Sequence, residues 1–113
     1  MMFEQILETL TNNGKSGRAY AKVITHAEQA MKEDGDRAAG YILLKNLATR
    51  FIDSTGRMAT TATQTENEYE VFTNHVSTLN DAYAAGDPSG ISTALNKVSL
   101  ASLEPFYSSF PAN

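Results

Sequence analysis

Apolar residues recur at intervals of three and four along most of this 113-residue chain. This spacing places them on one face of an α-helix, whereas a half-buried strand would show strict alternation. The pattern predicts helices over about residues 2–12, 16–33 and 37–53, and one or two more within residues 66–104. The fold class that we expect is all-α, a compact bundle of four to five antiparallel helices.

Glycine positions mark where the helices are expected to end. Gly14, Gly35 and Gly56 follow one another at intervals of 21 residues, and each closes an amphipathic stretch. Glycine ends helices readily because it adopts the left-handed conformation without a steric penalty. Asp36 could then cap the third helix, which would pair with the second as an antiparallel hairpin. Residues 86–88, Gly-Asp-Pro, combine a helix stop, an N-cap and a first-turn proline.

A single domain over residues 1–113 suits the length of the chain, which is enough for one hydrophobic core. We expect helices 1–3 within residues 1–53 and helices 4–5 within residues 66–104. The Ser-, Thr- and Gly-rich residues 54–65 would connect the two parts, and residues 105–113 would form an aromatic tail.

Local signals within the second part predict where helix 4 begins and where helix 5 is interrupted. Two overlapping capping boxes, Thr63 with Glu66 and Thr65 with Glu68, precede helix 4, so either threonine could be its N-cap. The apolar positions of helix 5 change face near Ser99, which predicts a bend or break there.

The apolar stripe of helix 3 is broader than one core face requires. Ile42 and Leu43 fall outside that face, whereas the small residues 38–40 would let another helix approach closely. A large apolar side chain gains roughly 1.5–3 kcal/mol on burial, so this breadth favours a central helix or a subunit interface. The alternative for Ile42 is a single exposed aliphatic side chain, which is common.

Three aromatic residues, Phe106, Tyr107 and Phe110, follow the last helix. Soluble monomers rarely leave such a group in water. The aromatic side chains would either fold back over the open end of their own bundle or bind a second subunit, where aromatic anchors often supply much of the binding energy.

Charge and composition exclude several classes of function. The net charge is −4, and the region after residue 57 has only one basic residue, Lys97. With no basic helix face, we expect neither nucleic acid nor a membrane surface as partner. The longest apolar run, residues 41–44, is too short to span a bilayer, and the N-terminus lacks a signal-peptide pattern, so a cytoplasmic protein is predicted. Without cysteine, disulfides and thiolate chemistry are excluded.

His75 is the first candidate for chemistry because it lies on the apolar stripe of helix 4. A ligand pocket around it could be bordered by Tyr41, Tyr83 and Phe51. The alternative is a core histidine whose ring nitrogens bond to a tyrosine or a carbonyl. His26 should be largely solvated. The chain lacks the His-Glu-x-x-His and Glu-x-x-His spacings of metal-binding helices, so no metal, cofactor or catalytic residue is predicted.

The sequence therefore predicts a small, non-catalytic protein-interaction or regulatory module. We expect it to form a homodimer, through helix 3 at Ile42 and Leu43 or through the aromatic tail. The alternative is a helical bundle that binds a small molecule or cofactor around His75, with or without enzymatic activity.

Overall fold

Five α-helices form in the part of the chain that the structure, a computed structural model, describes, namely residues 2–55 and 61–103. They are α1 (Met2–Asn12), α2 (Gly17–Glu33), α3 (Ala38–Thr55), α4 (Ala62–Ala85) and α5 (Pro88–Ala101), with a short 3-10 helix at Gly35–Arg37. The described residues contain no strand. The prediction of a compact all-α fold is therefore confirmed.

The helices pack as two antiparallel hairpins joined through α1. The most extensive contact is between α2 and α3, and α4 with α5 forms the second hairpin. Helix α1 contacts both α2 and α4, while α5 reaches α3. The radius of gyration, 13.7 Å, is close to the roughly 13 Å expected for a compact domain of this length. The largest fully buried side chains come from all five helices: Phe3, Ile6, Leu10, Tyr20, Val23, Tyr41, Leu44, Val76, Leu79 and Val98.

The glycines predicted to end the first two helices differ in conformation. Gly14, after α1, takes the left-handed conformation, with φ of 82°, whereas Gly35, after α2, lies in the 3-10 helix and does not. Asp36 does not cap α3, because that 3-10 helix runs directly into α3. The carboxylate of Asp34 instead binds Arg37. Gly56 lies outside the described residues.

Helix α4 begins earlier than predicted. Its N-cap is Thr61, whose hydroxyl accepts a hydrogen bond from the Gln64 backbone, while the Gln64 side chain accepts one from the Thr61 backbone. This capping box precedes those at Thr63 and Thr65, and it places the following threonines inside the helix. The predicted connection is shortened at both ends, since α3 continues to Thr55 and α4 begins at Ala62.

The turn between α4 and α5 confirms the prediction for residues 86–88. Gly86 is left-handed, with φ of 73°, and Asp87 caps α5 by accepting a hydrogen bond from the Gly90 backbone at 3.0 Å. The predicted break near Ser99 is wrong, because α5 continues to Ala101. The out-of-phase side chains of Leu100 and Leu103 point outward instead and are 66% and 79% exposed.

The Phe3 ring of α1 lies directly against the backbone of Gly40 in α3. A Cβ atom at this position would lie 2.6 Å from Cζ of Phe3 and 3.5 Å from the Tyr83 ring. Gly40 therefore admits the Phe3 ring of α1, whereas the close approach of a whole helix that residues 38–40 led us to expect is not seen there. Phe3 itself is fully buried and is held between Tyr41 and Tyr83.

We expect Gly40→Ala to lower the free energy of unfolding by about 1–3 kcal/mol, because the added methyl group overpacks the site and the Phe3 ring has little room to move. Gly17→Ala is the matched control, since a Cβ on this helical glycine meets nothing within 4 Å. Urea denaturation of both variants measures the difference. Equal stabilities for the two variants would contradict the close approach.

Candidate functional site

The residues predicted to surround His75 lie in two separate aromatic clusters. Tyr41 and Tyr83 both contact Phe3, with ring centroids 4.7 and 5.5 Å from it. Phe51 instead stacks on Tyr20 at 3.9 Å. The structure thus brings Tyr41 and Tyr83 together and places Phe51 in a different part of the core.

The Phe3 cluster, which is Phe3, Tyr41 and Tyr83, has a polar edge at the α2–α3 turn. Arg37 donates to both carboxylate oxygens of Asp34, at 3.0 and 3.1 Å. The Tyr41 hydroxyl donates to the same carboxylate at 3.4 Å, and the Arg37 guanidinium lies 6.0 Å from the centre of the Tyr83 ring. Together with the ring contacts of Phe3, they link the turn to α1 and to the end of α4. The cluster therefore holds these helices together.

The phenols of this cluster are poor groups for proton transfer at neutral pH. Burial, and next the charge of Asp34, raise the pKa of Tyr41 to about 12. Burial also raises the pKa of Tyr83. Both side chains therefore stay protonated at neutral pH, in keeping with a structural role.

The Tyr20 cluster, which is Tyr20, Phe51 and Phe72, joins α2, α3 and α4. Phe72 meets the Tyr20 ring edge-on, with centroids 5.7 Å apart. The Tyr20 hydroxyl is buried and has no hydrogen-bond partner among the described residues. Burial, with Glu68 and Tyr69 contributing less, raises the pKa of Tyr20. An unpaired buried hydroxyl is unfavourable, so the ring, not the hydroxyl, accounts for the stabilisation at this position.

The pKa of His75 is affected by two cations from other helices. Burial lowers the pKa of this half-buried imidazole, and Lys97 and then Arg50 lower it further. The guanidinium of Arg50 donates through Nη1 to the Ala101 carbonyl at 3.4 Å, while Nη2 is buried without a partner among the described residues. We call Arg50, His75 and Lys97 the cationic cluster.

The register of the second hairpin could have indicated two of the three members of this cluster. His75 lies 11 residues before Gly86, and Lys97 lies 10 residues after Asp87. Two antiparallel helices joined by so short a turn bring these positions to the same level. The third member, Arg50, comes from α3, and its position depends on packing between the hairpins, for which the sequence carries no local signal.

His26 is more constrained than predicted. It is half-buried, and its Nδ1 atom lies 2.8 Å from the Thr9 hydroxyl, so it joins α2 to α1. The sequence predicts that His26 lies on a polar face of α2, but it does not show that α1 packs over this face. Its position accords with a structural role.

The residues predicted to bind a partner differ in how exposed their side chains are. Ile42 is 42% exposed, but Leu43 packs partly against the core of its own chain. Phe106, Tyr107 and Phe110 lie outside the described residues. The other large apolar side chains that the structure leaves exposed are Val71, Leu100 and Leu103.

These three side chains lie towards the same end of the second hairpin. Val71 lies 15 residues before Gly86, which places it at the level of Ser102, between Leu100 and Leu103. Val71 is one helical turn from His75, and Leu100 is one turn from Lys97, so these two side chains lie near the cationic cluster. We call Val71, Leu100 and Leu103 the apolar end surface.

Neither a metal centre nor a membrane span is evident in residues 2–55 and 61–103. No three His, Asp or Glu side chains there are arranged to hold a metal ion. No helix in these ranges has the length and apolar character needed to cross a bilayer. Comparison of the chain with protein-family models, with curated proteins and with solved structures finds no match.

We expect Tyr20→Phe to raise the free energy of unfolding by about 1 kcal/mol, because it removes a desolvated hydroxyl and keeps the stacked ring. Tyr69→Phe is the control, since the Tyr69 hydroxyl has a partner in Thr11 at 3.1 Å and its removal should bring no gain. Urea denaturation at neutral pH compares them. A loss of stability in Tyr20→Phe would show that the hydroxyl is satisfied.

Alkaline pH should weaken the fold through Tyr41. Its pKa is about 12 in the folded protein against 10.0 as the ordinary value, so folding favours the protonated phenol. This contribution is complete below pH 10 and is lost as the pH rises towards 12. Denaturation between these pH values should therefore show a shallower loss of stability in Tyr41→Phe than in the wild type. Identical slopes would contradict the burial of this hydroxyl.

Proposed function

We propose that this chain is a small, non-catalytic interaction module that binds a second copy of itself through the apolar end surface. The observation that carries the proposal is the exposure of Leu100 and Leu103, at 66% and 79%. With Val71 they lie towards the same end of the second hairpin. Burial of each large apolar side chain in a contact is worth roughly 1.5–3 kcal/mol, which favours covering this area.

Low charge on α5 supports a second copy as the partner. Lys97 is the one charged residue among the 14 of this helix. Interface centres are depleted of charged residues, and a two-fold contact brings the same patch of each copy together. Two such faces can meet without opposing several like charges, because Lys97 lies at the border of the apolar area, one turn before Leu100.

The aromatic tail would extend the same contact. Phe106, Tyr107 and Phe110 follow Leu103 by three to seven residues, within reach of the apolar end surface. We propose that they contribute to binding between copies, since aromatic anchors often supply much of the energy of an interface.

Helix α3 is less suited to this role than the sequence indicated. Ile42 is exposed, but Leu43 already packs in its own core. One turn beyond, Lys45 forms an ion pair with Glu28 at 3.0 Å. A contact centred on Ile42 would cover one apolar side chain and this charged pair, whereas the apolar end surface offers three apolar side chains.

The double variant Leu100→Ser/Leu103→Ser should weaken self-association by at least about tenfold, because it removes the two most exposed apolar side chains of the surface. Ile42→Ser is the control and should associate like the wild type. Sedimentation velocity from low to high micromolar concentration measures all three proteins, and circular dichroism checks that each is folded.

Two results would overturn the proposal. One is a wild-type chain that sediments as a monomer at high micromolar concentration. The other is a double variant that associates as strongly as the wild type.

A further inference from the structure

Three helices each contribute one nitrogen-bearing side chain to the cationic cluster. Arg50 comes from α3, His75 from α4 and Lys97 from α5. The Arg50 guanidinium reaches the last turn of α5 through the Ala101 carbonyl, at 3.4 Å. His75 and Lys97 are level across the second hairpin, and Ala101, to which Arg50 donates, is one turn beyond Lys97.

Not every N–H donor of Arg50 has a good hydrogen-bond acceptor among the described residues. Its bond to Ala101 is long, and Nη2 is buried with no acceptor among the described residues. A guanidinium donor without an acceptor is costly in a buried position, and oxyanions are its strongest partners.

Within α3, α4 and α5, few carboxylates lie near these side chains, although the whole chain is acidic. Helix α5 contains no acidic residue, and Asp53 is the one acid of α3, exposed and one turn from Arg50. On α4 the acid nearest to the His75 face is Glu68, two turns or about 10 Å away along the axis. The positive charge of the cluster is therefore not neutralised locally by these helices.

We infer that Arg50, His75 and Lys97 form a binding site for a small oxyanion, a phosphate or carboxylate group carried by a small molecule. Arg50 would donate through Nη2, Lys97 would supply a second positive charge, and the imidazole of His75 would donate one N–H bond. The inference does not require self-association, since all three residues belong to one chain.

Anion binding should change the titration of His75 in a defined direction. Lys97 from α5 and Arg50 from α3 are the charged groups that lower its pKa in addition to burial. An anion placed between them and the imidazole offsets their effect, so the pKa of His75 rises on binding. By linkage, the anion binds more tightly as the pH falls through the pKa of His75.

The test is an NMR titration of the imidazole resonances with inorganic phosphate, repeated with succinate, in the Leu100→Ser/Leu103→Ser variant so that association does not interfere. His26, bonded to Thr9 elsewhere in the fold, is the internal reference. We expect a saturable shift and a raised pKa for His75 alone. Sodium chloride at matched ionic strength should not reproduce them.

Substitutions identify the donors. Arg50→Gln should weaken phosphate or succinate binding by about tenfold, as expected for lost charge-assisted bonds. Lys97→Gln should weaken it several-fold, and this exposed position keeps the test valid if Arg50→Gln fails to fold. Arg18→Gln, at an exposed position of α2, is the control and should bind like the unsubstituted chain.

The inference is overturned if His75 and His26 shift in parallel and without saturation, since that reports ionic strength only. It is also overturned if Lys97→Gln and Arg50→Gln bind phosphate and succinate as tightly as the unsubstituted chain.

Discussion

The contact between the Phe3 ring and the backbone of Gly40 ties α1 to α3. The ring can lie this close to the backbone only because residue 40 has no side chain, since a Cβ atom on Gly40 would lie 2.6 Å from the ring. Because Phe3 also contacts Tyr41 and Tyr83, the same ring joins α1 to α3 and to α4. The fully buried Ile6 and Leu10 continue the apolar face of α1 into the core.

The core tyrosines and His75 have different electrostatic surroundings. The Phe3 and Tyr20 clusters place Tyr20 and Tyr41 in the core, where burial keeps their phenols protonated. The pKa of the half-buried His75 is lowered by burial and by the charges of Lys97 and Arg50. The end of the second hairpin thus carries both exposed apolar side chains and a positively charged cluster, and both proposals concern this end.

Features governed by a few neighbouring residues could be predicted from the sequence, and features governed by packing between helices could not. The Gly86 stop and the Asp87 cap lie within one turn and were predicted. The start of α4 was missed because Thr61, Thr63 and Thr65 each have Gln or Glu three residues on, so the local signal does not distinguish them. Which side chains surround His75 depends on how the hairpins pack, and apolar periodicity shows only that a helix has a buried face.

The most direct test of this account is a nuclear Overhauser measurement between the Phe3 ring protons and the α-protons of Gly40. We expect strong cross-peaks between the Phe3 ring protons and the Gly40 α-protons, and between the Phe3 and Tyr83 rings. The Gly40 α-protons should also shift upfield because of the adjacent aromatic ring. Absence of these cross-peaks in a folded, helical sample, with Phe3 resonances at the positions of an exposed side chain, would contradict it.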